Sequence, residues 1–471
     1  MTDRYLVVSD LHLADVEDHA DGWKFFKGSR YLFDDDFAAL LDEFAARCVG
    51  PGTLLLNGDV FDFDLVTEVP SDPPWPVSRG ERRRGLKATA VKSAWKLERI
   101  LSFHPVLLKA LGLFLAAGHR VVYVMGNHDR ELHFPEVQDC LLTALRDATE
   151  LTGGSLTEWS IVFEPWFHYV PGRIYAEHGH QYDYYTSFRH LLDPVVNRRE
   201  GPEIALPMGN ISNRILMGRM GYFNPHAGDF ILNVFHYVSH WLRFYAFSRH
   251  TLVLTWFLGS LRALGRLLET KKRLRRRPPK GYEDRVEALA TRAGLTPEEM
   301  GNLRTLQPSP ITDRVFRIIR EFWIDRLVLS LLMTGGTIAL ALVPIHLWIK
   351  LMVPLTCFPL VYFLYESLAQ GETVFSSGHK VEAFAREIGA LLRVPVVTFG
   401  HTHAPGTLTV GPGISYVDTG TWAPVTAPYP NTALTPGYRN WLEVDFSTDP
   451  PALKFDCLVG PKVTKSDPDV S

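Results

Sequence analysis

Five short apolar runs, each followed by a polar cluster, set the hydrophobic pattern of this chain. The runs are rich in Val, Leu, Ile and Tyr, and they lie at residues 5–8, 54–56, 121–125, 173–176 and 395–399. Short runs that are apolar on both faces are typical of strands in a sheet that is covered on both sides. The pattern therefore predicts five buried strands, each ending where a cluster of Gly, Asp, Asn or His residues begins.

Helical patterns separate these strands. Apolar residues recur at three- and four-residue steps in Phe37–Arg47 and again in Val106–Ala117. Strands that alternate with helices predict an α/β fold with a layered core. Ligands of such sheets gather at the carboxyl ends of the strands, which is where the polar clusters stand.

Residues 191–389 follow a different pattern. This stretch is dense in aromatic and aliphatic residues, and no polar motif follows a strand-like run in it. Residues 327–349 contain no Asp, Glu, Lys or Arg, and a second uncharged run follows at 351–365. Crossing a bilayer takes roughly 20 apolar residues, so the first run is long enough and the second is short. Prolines interrupt the pair, at positions 344, 354 and 359.

The strand pattern resumes at residue 395. We therefore predict one catalytic domain in two parts, residues 1–190 and 390–471. Between them lies a large, mostly helical and hydrophobic insertion, residues 191–389. The sequence shows no internal repeat and no low-complexity segment.

Composition narrows the class of protein. A chain of 471 residues is too long for one small domain, and 46% hydrophobic with 21% charged residues is globular composition. The net charge of −3 argues against a general nucleic-acid binder, so no specific nucleic acid is expected. The four cysteines form no CxxC pair, which disfavours a disulfide scaffold or a thiolate zinc site. No secretory signal is visible, which favours a cytosolic catalytic domain.

Polar clusters follow the first three strands. Asp10 and His12 are two residues apart on an extended segment and can point to the same side, as a chelating pair must. Asp59 could bridge two cations, although its sequence Asn-Gly-Asp is also an ordinary turn. The Gly-Asn-His-Asp sequence at 126–129 crowds polar groups at a buried strand end, where unused polarity is costly. None of these motifs alone separates a metal site from a turn.

Histidine pairs follow the last two strands. His178 and His180 stand in the sequence Glu-His-Gly-His, and His401 and His403 stand in Gly-His-Thr-His. A lone histidine is usually a satisfied structural residue. Pairs at two-residue spacing, each at a strand end, fit imidazole ligation of a transition metal.

The order of the five motifs is more specific than any one of them. D-x-H, G-D-x-x-D, G-N-H-D, H-G and G-H-x-H follow the strands in turn. This ordered set resembles the calcineurin-like metallophosphoesterase family. The resemblance covers roughly residues 1–185 and 390–425, including Asp418–Trp422, which is similar to a closing strand segment of these enzymes. It implies a β-sheet core flanked by helices, and it does not cover the insertion.

The resemblance implies a hydrolase with two divalent metal ions held by seven side chains. One ion would take four of them, namely Asp10, His12, Asp59 and His403. The other would share Asp59 and take three more, namely Asn127, His178 and His401. Carboxylate, amide and imidazole donors suit Mn²⁺, which is favoured, or Fe or Zn²⁺. In this family a hydroxide bridging the ions attacks phosphorus opposite the leaving oxygen.

The resemblance also implies a catalytic histidine that binds no metal. His128 matches the family's non-ligand histidine, which stabilises phosphoryl transfer and can protonate the leaving group. Asp62, the last residue of G-D-x-x-D, would orient this imidazole. Asp129 could share that task, and the sequence leaves the choice between them open.

Candidate substrate contacts lie outside the seven-ligand set. His180, with Asp183 nearby, fits a substrate-side or second-shell role and, equally, a plain structural one. Arg82 and Arg84 belong to a run of arginines on a predicted loop. They could contact substrate phosphate, although a solvated charge run is the plainer interpretation.

Within the family, the spacing around Asp10 and the His178-Gly motif resemble the branch of UDP-2,3-diacylglucosamine pyrophosphatases. Those enzymes cleave a nucleotide-lipid pyrophosphate at the membrane surface. The chain departs from that branch because an Arg commonly stands there in place of His128, and because the branch's lipid cap is far smaller than this insertion. We therefore expect a phosphorylated lipid-linked or small-molecule substrate. A soluble-substrate phosphodiesterase and a non-catalytic membrane scaffold are the alternatives.

Both parts of the catalytic domain must lie on one side of a membrane, so the number of spans is even or zero. A hairpin from about 327 to 365 satisfies this condition, with residues 346–350 near its tip. The basic run at 271–277 would then face the anionic cytoplasmic leaflet, and the stretch at 230–268 looks interfacial. We expect attachment to the cytoplasmic side of a membrane. A soluble helical cap with a hydrophobic centre is the alternative.

Overall fold

Strands and helices alternate along the chain. The computed structural model describes residues 3–20, 23–226, 238–239, 241–242, 245–246, 252–274, 278–369, 381–426, 434–435 and 437–458. Its strands are, in chain order, β1 (Arg4–Val8), β2 (Thr53–Asn57), β3 (Arg120–Val124), β4 (Ile161–Glu164), β5 (Phe167–Val170), β6 (Ile174–Glu177), β7 (Val195–Arg198), β8 (Gly201–Ile204), β9 (Val396–Phe399), β10 (Gly406–Gly411), β11 (Ile414–Asp418), β12 (Val425–Thr426), β13 (Leu434–Thr435), β14 (Asn440–Asp445) and β15 (Ala452–Cys457). Its helices are α1 (Asp34–Arg47), α2 (Glu81–Arg84), α3 (Ala90–Phe103), α4 (Pro105–Ala116), α5 (Pro135–Glu150), α6 (Met208–Ile215), α7 (Leu252–Arg273), α8 (Tyr282–Ala293), α9 (Pro297–Thr305), α10 (Val315–Glu321), α11 (Ile324–Leu342), α12 (Leu347–Leu368) and α13 (Val381–Leu392).

Two sheets form the centre of the catalytic domain. The first has the strand order β15-β14-β1-β2-β3-β4, in which β1 to β4 run parallel. The second has the order β10-β11-β9-β6-β5, in which β11, β9 and β6 run parallel. Small antiparallel pairs, β7 with β8 and β12 with β13, lie outside these two sheets.

The inner faces of the two sheets pack against each other. One buried cluster joins Val7 and Leu55 of the first sheet to Ala176 and Val396 of the second, all of them fully buried. Helices supply buried side chains to a second cluster, among them Phe37 of α1 and Leu107 of α4. Burying each such side chain stabilises the fold by roughly 1.5–3 kcal/mol. The predicted α/β class, a layered sheet core flanked by helices, is confirmed.

The five predicted strands appear as β1, β2, β3, β6 and β9, and their carboxyl ends meet. Asn57 is the last residue of β2, and its side-chain amide donates a hydrogen bond to the carbonyl of Glu177 at the end of β6 (3.0 Å). The backbone amide of Gly400, after β9, donates to the carbonyl of His178 (3.0 Å). The loops after all five strands are therefore brought to one edge of the sandwich.

The region between residues 191 and 389 is mainly helical where it is described, and it begins with the β7–β8 hairpin. Helix α6 packs closely on α7. Leu216, directly after α6, lies so near Gly259 of α7 that a Cβ atom at Gly259 would meet the Leu216 side chain. Helix α13 crosses the predicted boundary at 389 and packs on the second sheet, where Gly389 lies against Ile414. Much of the stretch predicted as interfacial, and the end of the basic run at 275–277, lie outside the described residues.

Helices α11 and α12 form the predicted hairpin. Both are long and apolar enough to cross a membrane, and neither has a buried residue. Helix α12 continues through Pro354 and Pro359, which the sequence pattern predicted to be interruptions. Ser330 of α11 and Tyr362 of α12 are hydrogen-bonded to each other, so the two helices pair along their length.

Candidate metal centre

The loops after the five strands place the predicted metal ligands in one buried cluster. Asp10 is fully buried, and its Oδ1 lies 3.3 Å from Nε2 of His403 and 3.9 Å from Nε2 of both His12 and His178. Nε2 of His12 and Nε2 of His403 are 3.0 Å apart. These atoms point at a common position, which is the arrangement that a first metal ion requires.

The second predicted position adjoins the first. Oδ2 of Asp59 lies 3.0 Å from Nε2 of His178, and the donor atoms of Asp59, His178 and His401 all lie within 4.8 Å of one another. Asp59 also groups with Asp10 and His12 within the same distance. Asp59 therefore stands between the two positions, as a bridging carboxylate must.

Asn127 completes the set of seven. Its Nδ2 donates to Oδ1 of Asn210 (3.3 Å), and the amide of Asn210 is oriented in turn by a bond to Asp64 (2.6 Å). This leaves Oδ1 of Asn127 buried without a hydrogen-bond partner in the described part of the chain. An orphaned amide oxygen is costly unless something else binds it.

Backbone strain marks this cluster. Five of the seven predicted ligands adopt positive φ angles between 49° and 70°, in the left-handed region that residues with a Cβ atom seldom occupy: Asp10, His12, Asp59, His401 and His403. Each such residue costs on the order of 1–3 kcal/mol and persists only where the surroundings enforce it. Backbone outliers of this kind concentrate at functional sites.

Two glycines give the ligands room. A Cβ atom at Gly126 would lie 2.1 Å from Oδ1 of Asp59, and one at Gly400 would lie 2.3 Å from Oδ2 of Asp10. Both positions need glycine because a carboxylate of the cluster occupies the space where a side chain would begin. The glycines of G-N-H-D and G-H-x-H therefore serve close packing against the centre.

The protein fixes which nitrogen each imidazole presents. Nδ1 of His178 donates to the carbonyl of Asn57 (3.0 Å), and Nδ1 of His403 donates to the carbonyl of His226 (3.1 Å). Because a carbonyl can only accept, Nε2 of each ring is left as the lone-pair donor facing the cluster. Outer hydrogen bonds of this kind orient histidine ligands in metal sites.

His401 is held from its other side. Its Nε2 lies 3.1 Å from Oγ1 of Thr186 and 3.3 Å from Oδ2 of Asp183, so Nδ1 is the nitrogen left for the cluster. Asp183 therefore contacts a predicted ligand, which corresponds to the second-shell alternative of the sequence prediction.

His128 lies beside the cluster, and its donor atom groups with those of His12 and Asp62 within 4.8 Å. Its Nδ1 lies 3.1 Å from Oδ2 of Asp62 and 3.3 Å from Oδ2 of Asp64. Burial alone would lower the pKa of His128, but the carboxylates of Asp62 and Asp59 outweigh burial and raise that pKa well above its usual range. These carboxylates thereby favour the protonated form of the imidazole.

The choice between Asp62 and Asp129 has a geometric answer. Asp129 accepts from the backbone amides of Val60 (2.9 Å) and Gly126 (2.7 Å) and from the hydroxyl of Tyr123 (2.6 Å). These bonds tie the loops after β2 and β3 together. Asp129 thus organises the backbone, and Asp62 is the carboxylate paired with His128.

His180 is buried beside the cluster. Its ring centroid lies 5.5 Å from that of His178 and 5.7 Å from that of Phe188. Neither ring nitrogen has a hydrogen-bond partner within the described ranges. Burial and the neighbouring His178 hold the pKa of His180 well below its usual range, so the ring is neutral.

Arg82 and Arg84 lie away from the seven ligands, in the short helix α2 and not in the predicted loop. Arg84 is half-buried beside Arg219 and Arg262 of the insertion, and burial, with these charges, lowers its pKa. Neither Arg82 nor Arg84 contacts the cluster in the described structure. Their predicted substrate contact stays a prediction.

The sequence analysis missed residues that the insertion brings to the centre. His226 is buried, and its ring centroid lies 4.0 Å from that of His12. Asn210 orients Asn127, and Arg214 pairs with Asp64 and Glu131 beneath His128. A lone histidine and a lone asparagine outside the strand-end motifs carried no pattern that could have singled them out.

The donor set fits two divalent cations. It combines buried carboxylates, imidazoles with fixed tautomers and an unpartnered amide oxygen, and it contains no thiolate. Without cations, several carboxylates and imidazoles would share one buried cavity, which is unfavourable because buried charges need a partner. The role of the seven side chains as ligands stays a prediction that this geometry supports.

Comparison with known proteins supplies the family. A family model described as calcineurin-like phosphoesterase matches residues 3–242, just over half of the chain. The match continues past residue 190 into the insertion and includes the segment that carries Asn210 and His226. No curated protein matches the chain. Members of this family use a dinuclear divalent metal centre. The chain therefore belongs to the calcineurin-like phosphoesterase family, and it is a metal-dependent phosphoesterase.

Proposed function

We propose that this phosphoesterase is anchored to the cytoplasmic side of a membrane and cleaves a phosphoester or pyrophosphate bond of a lipid-linked substrate. The observation that carries the proposal is the position of the α11–α12 hairpin. The segment just before this apolar, unburied pair of helices contacts the loop that follows the predicted ligand His178.

The hairpin has the properties of a membrane segment. At about 1.5 Å per residue, its 19 and 22 residues extend roughly 28 and 33 Å, close to the ~30 Å hydrocarbon core of a bilayer. Trp323 precedes α11 at one end, and Trp348 lies in the first turn of α12 at the other. Both are exposed, and tryptophan at both ends is typical of segments anchored at the two membrane interfaces.

Charged residues collect at the base of the hairpin. Glu366 pairs with Arg320 (3.0 Å) and with Arg326 (2.8 Å), and Tyr365 bonds to Asp325. The helix interiors between base and tip carry no such pairs among the described residues. This distribution favours a bilayer over a second protein as the hairpin's surroundings.

Contacts connect the segment that precedes the hairpin to the centre. The amide of Ile311 donates to the carbonyl of Tyr184 (2.8 Å), and the guanidinium of Arg317 lies over the Tyr184 ring (5.5 Å). Two residues later, Thr186 contacts His401. A substrate held at the membrane surface would therefore meet the centre close to the bilayer, as a lipid-linked phosphate requires.

An arginine cluster supports an anionic substrate. Arg84, Arg219 and Arg262 lie close together, and none of them has an ion-pair partner within the described part of the chain. Clustered cations without carboxylates are typical of phosphate-binding surfaces. We propose that this cluster faces the substrate or the anionic leaflet.

The residues of the centre have distinct tasks in the proposed reaction. The seven predicted ligands would hold two divalent ions, which we propose to be Mn²⁺, with Fe or Zn²⁺ as alternatives. When bound, such ions supply Lewis-acid polarisation of a phosphoryl group and activation of a water. His128, oriented by Asp62 at Nδ1, donates a proton from Nε2 to the leaving oxygen.

A narrower proposal concerns the substrate class. The motif spacing is similar to that of UDP-2,3-diacylglucosamine pyrophosphatases, so a nucleotide-lipid pyrophosphate is the first substrate to test. His128 and the size of the insertion set this chain apart from that branch. A lipid-linked phosphoester of another kind would satisfy the broader proposal equally well.

Fractionation and hydrolysis together test the proposal. We expect the full-length protein to stay with membranes after low-salt and alkaline washes. In detergent micelles with Mn²⁺, it should hydrolyse phosphorylated lipids faster than soluble nucleotides, and Asp59→Asn should lose both activities. Release by low salt with a preference for soluble nucleotides would contradict membrane anchoring and favour a soluble-substrate phosphodiesterase.

A further inference from the structure

His226 lies in the insertion, yet its side chain reaches the centre of the catalytic domain. It is 7% exposed, and its ring packs at 4.0 Å, centroid to centroid, on the ring of His12. It lies 5.9 Å from the ring of His403 on the same side. The donor atoms of these three histidines lie within 4.8 Å of one another. Three imidazoles at this distance can bind one ion.

Nε2 of His226 faces the cluster. It lies 3.7 Å from Oδ2 of Asp62, which is beyond hydrogen-bond distance. A buried imidazole normally satisfies its polar atoms. Because its donor atom also lies within 4.8 Å of donor atoms of His12 and His403, an ion bound there would give all three imidazoles a partner.

The backbone around His226 is built to hold this position. The amide of His226 donates to Oδ1 of Asn224 (3.0 Å), and the side-chain amide of Asn224 donates to the carbonyl of Pro424 in the catalytic domain (2.5 Å). The carbonyl of His226 accepts from Nδ1 of His403. The same residue thus orients one predicted ligand and presents its own imidazole beside another.

We propose that His226 is an eighth protein donor of the metal centre, completing the coordination of the ion predicted at His12 and His403. This inference rests on the two-metal centre of the proposed function. It makes the insertion part of the centre. Residues 208–226, which include Asn210, are then ordered in part by the metal, and the membrane-attached region and the catalytic chemistry share one structural unit.

A packing role is the alternative, and one substitution separates the two. His226→Phe keeps an aromatic ring against His12 but has no lone pair to donate. His226→Ala removes both ring and donor, and its vacated space can accept free imidazole. His104→Ala is the matched control, because His104 is also a buried histidine but both of its ring nitrogens have protein partners, Asp34 and the carbonyl of Ala14, and it belongs to none of the possible ligand groups.

The readout is metal binding by the full-length protein in detergent. Mn²⁺ affinity is measured by titration calorimetry, and the coordination of bound Co²⁺ is followed by its visible absorption. We expect both His226 variants to bind one of the two ions at least about tenfold more weakly and to change the Co²⁺ spectrum. Imidazole should restore affinity to His226→Ala, and His104→Ala should bind both ions as the wild type does.

Three results would overturn the inference. Wild-type affinity and spectrum in both variants would show that His226 does not bind the ion. Wild-type affinity in His226→Phe, with weaker binding in His226→Ala, would show the same, because only the ring would then matter. Thermal unfolding in EDTA compares the stability of the variants and the wild type without metal. If a His226 variant is already less stable there, its weaker metal binding is assigned to lost packing. If the wild type binds no divalent ion, the proposed function itself fails. If the wild type binds two ions and both His226 variants bind them with the same affinity, the proposed function holds and only the inference about His226 fails.

Discussion

Val7, Leu55 and Val396 of the sandwich are fully buried, whereas Leu332, Leu355 and Phe363 of the α11–α12 hairpin are 65–70% exposed. The two regions are comparably apolar, so composition does not distinguish them. Strand residues are covered by a second sheet or by helices, and the hairpin residues are covered by nothing in the described structure. An exposed apolar surface of this size is unfavourable in water, and the proposed bilayer would cover it.

The two regions also differ in what their polar residues do. In the sandwich, buried carboxylates and imidazoles converge at strand ends, and strain and glycine spacing maintain that convergence. In the hairpin, charges stand only at the base and the tip. The first region carries the candidate chemistry and the second the proposed attachment, and the following changes test each half.

Removing the proton donor should give the largest effect. His128→Ala should lower turnover by about 10²–10⁴-fold because general acid catalysis is lost. Metal content should stay at the wild-type value, since His128 is not among the seven predicted ligands. Measured kcat together with bound metal per chain checks this. Loss of metal in this variant would contradict the separation of His128 from the ligands.

A charge in the hairpin should affect attachment and not the centre. Leu332→Arg places a cation near the middle of α11, at a cost of roughly 2.5–3.5 kcal/mol for a residue at the bilayer centre. We expect weaker retention in membranes with unchanged hydrolysis of a soluble aryl phosphodiester. The control is Leu151→Arg, the same exchange at an exposed position of the catalytic domain. Equal retention of both variants would argue against a membrane-spanning hairpin.

Closing the space at Gly126 should affect metal binding although no predicted ligand is replaced. A methyl group there would displace the Asp59 carboxylate. Gly126→Ala should therefore weaken metal binding by about 10–100-fold, the range found when the supports of metal ligands are altered. Gly118→Ala is a glycine control whose added Cβ meets nothing within 4 Å, although its positive φ carries a small cost of its own. Similar Mn²⁺ affinities for the two variants would contradict this account.

The smallest expected effect lies where the catalytic domain meets the insertion. Burial would raise the pKa of Glu17, but Lys27 and Lys24 outweigh it and lower that pKa from 4.5 to about 2. A lowered carboxylate pKa stabilises the fold above pH 4.5, and the contribution is lost as pH falls from 4.5 towards 2. Because Glu17 is partly exposed, Glu17→Gln should cost only about 1–2 kcal/mol at neutral pH. Urea unfolding at pH 7 and pH 3 should show that cost shrinking in acid.

The motifs predicted much of the centre because its ligands follow strands directly. The end of a strand fixes where Asp10, Asp59 and His178 emerge, so their sequence position determines their spatial position. The apolar runs likewise predicted β1, β2 and β3 within a residue of their observed limits. Local pattern is sufficient where strand geometry sets the direction of the chain.

Other features depend on long-range packing that no local pattern records. His226 reaches His12 through a turn held by Pro424, some 200 residues away in the sequence. Asp62 and Asp129 occur in equally suitable motifs, and only the bonds from Val60 and Tyr123 distinguish their roles. The continuity of α12 through its prolines also escaped the pattern, because helical prolines are tolerated only in particular surroundings.

The central claim is that two divalent ions share Asp59 in one buried centre. The most direct measurement is the number of Mn²⁺ ions bound per chain, by elemental analysis after equilibrium dialysis of wild-type protein and Asp59→Asn. We expect two ions per wild-type chain and fewer than two in the variant, with hydrolysis lost. Two tightly bound ions in Asp59→Asn, or a folded and active wild type that binds none, would contradict the claim.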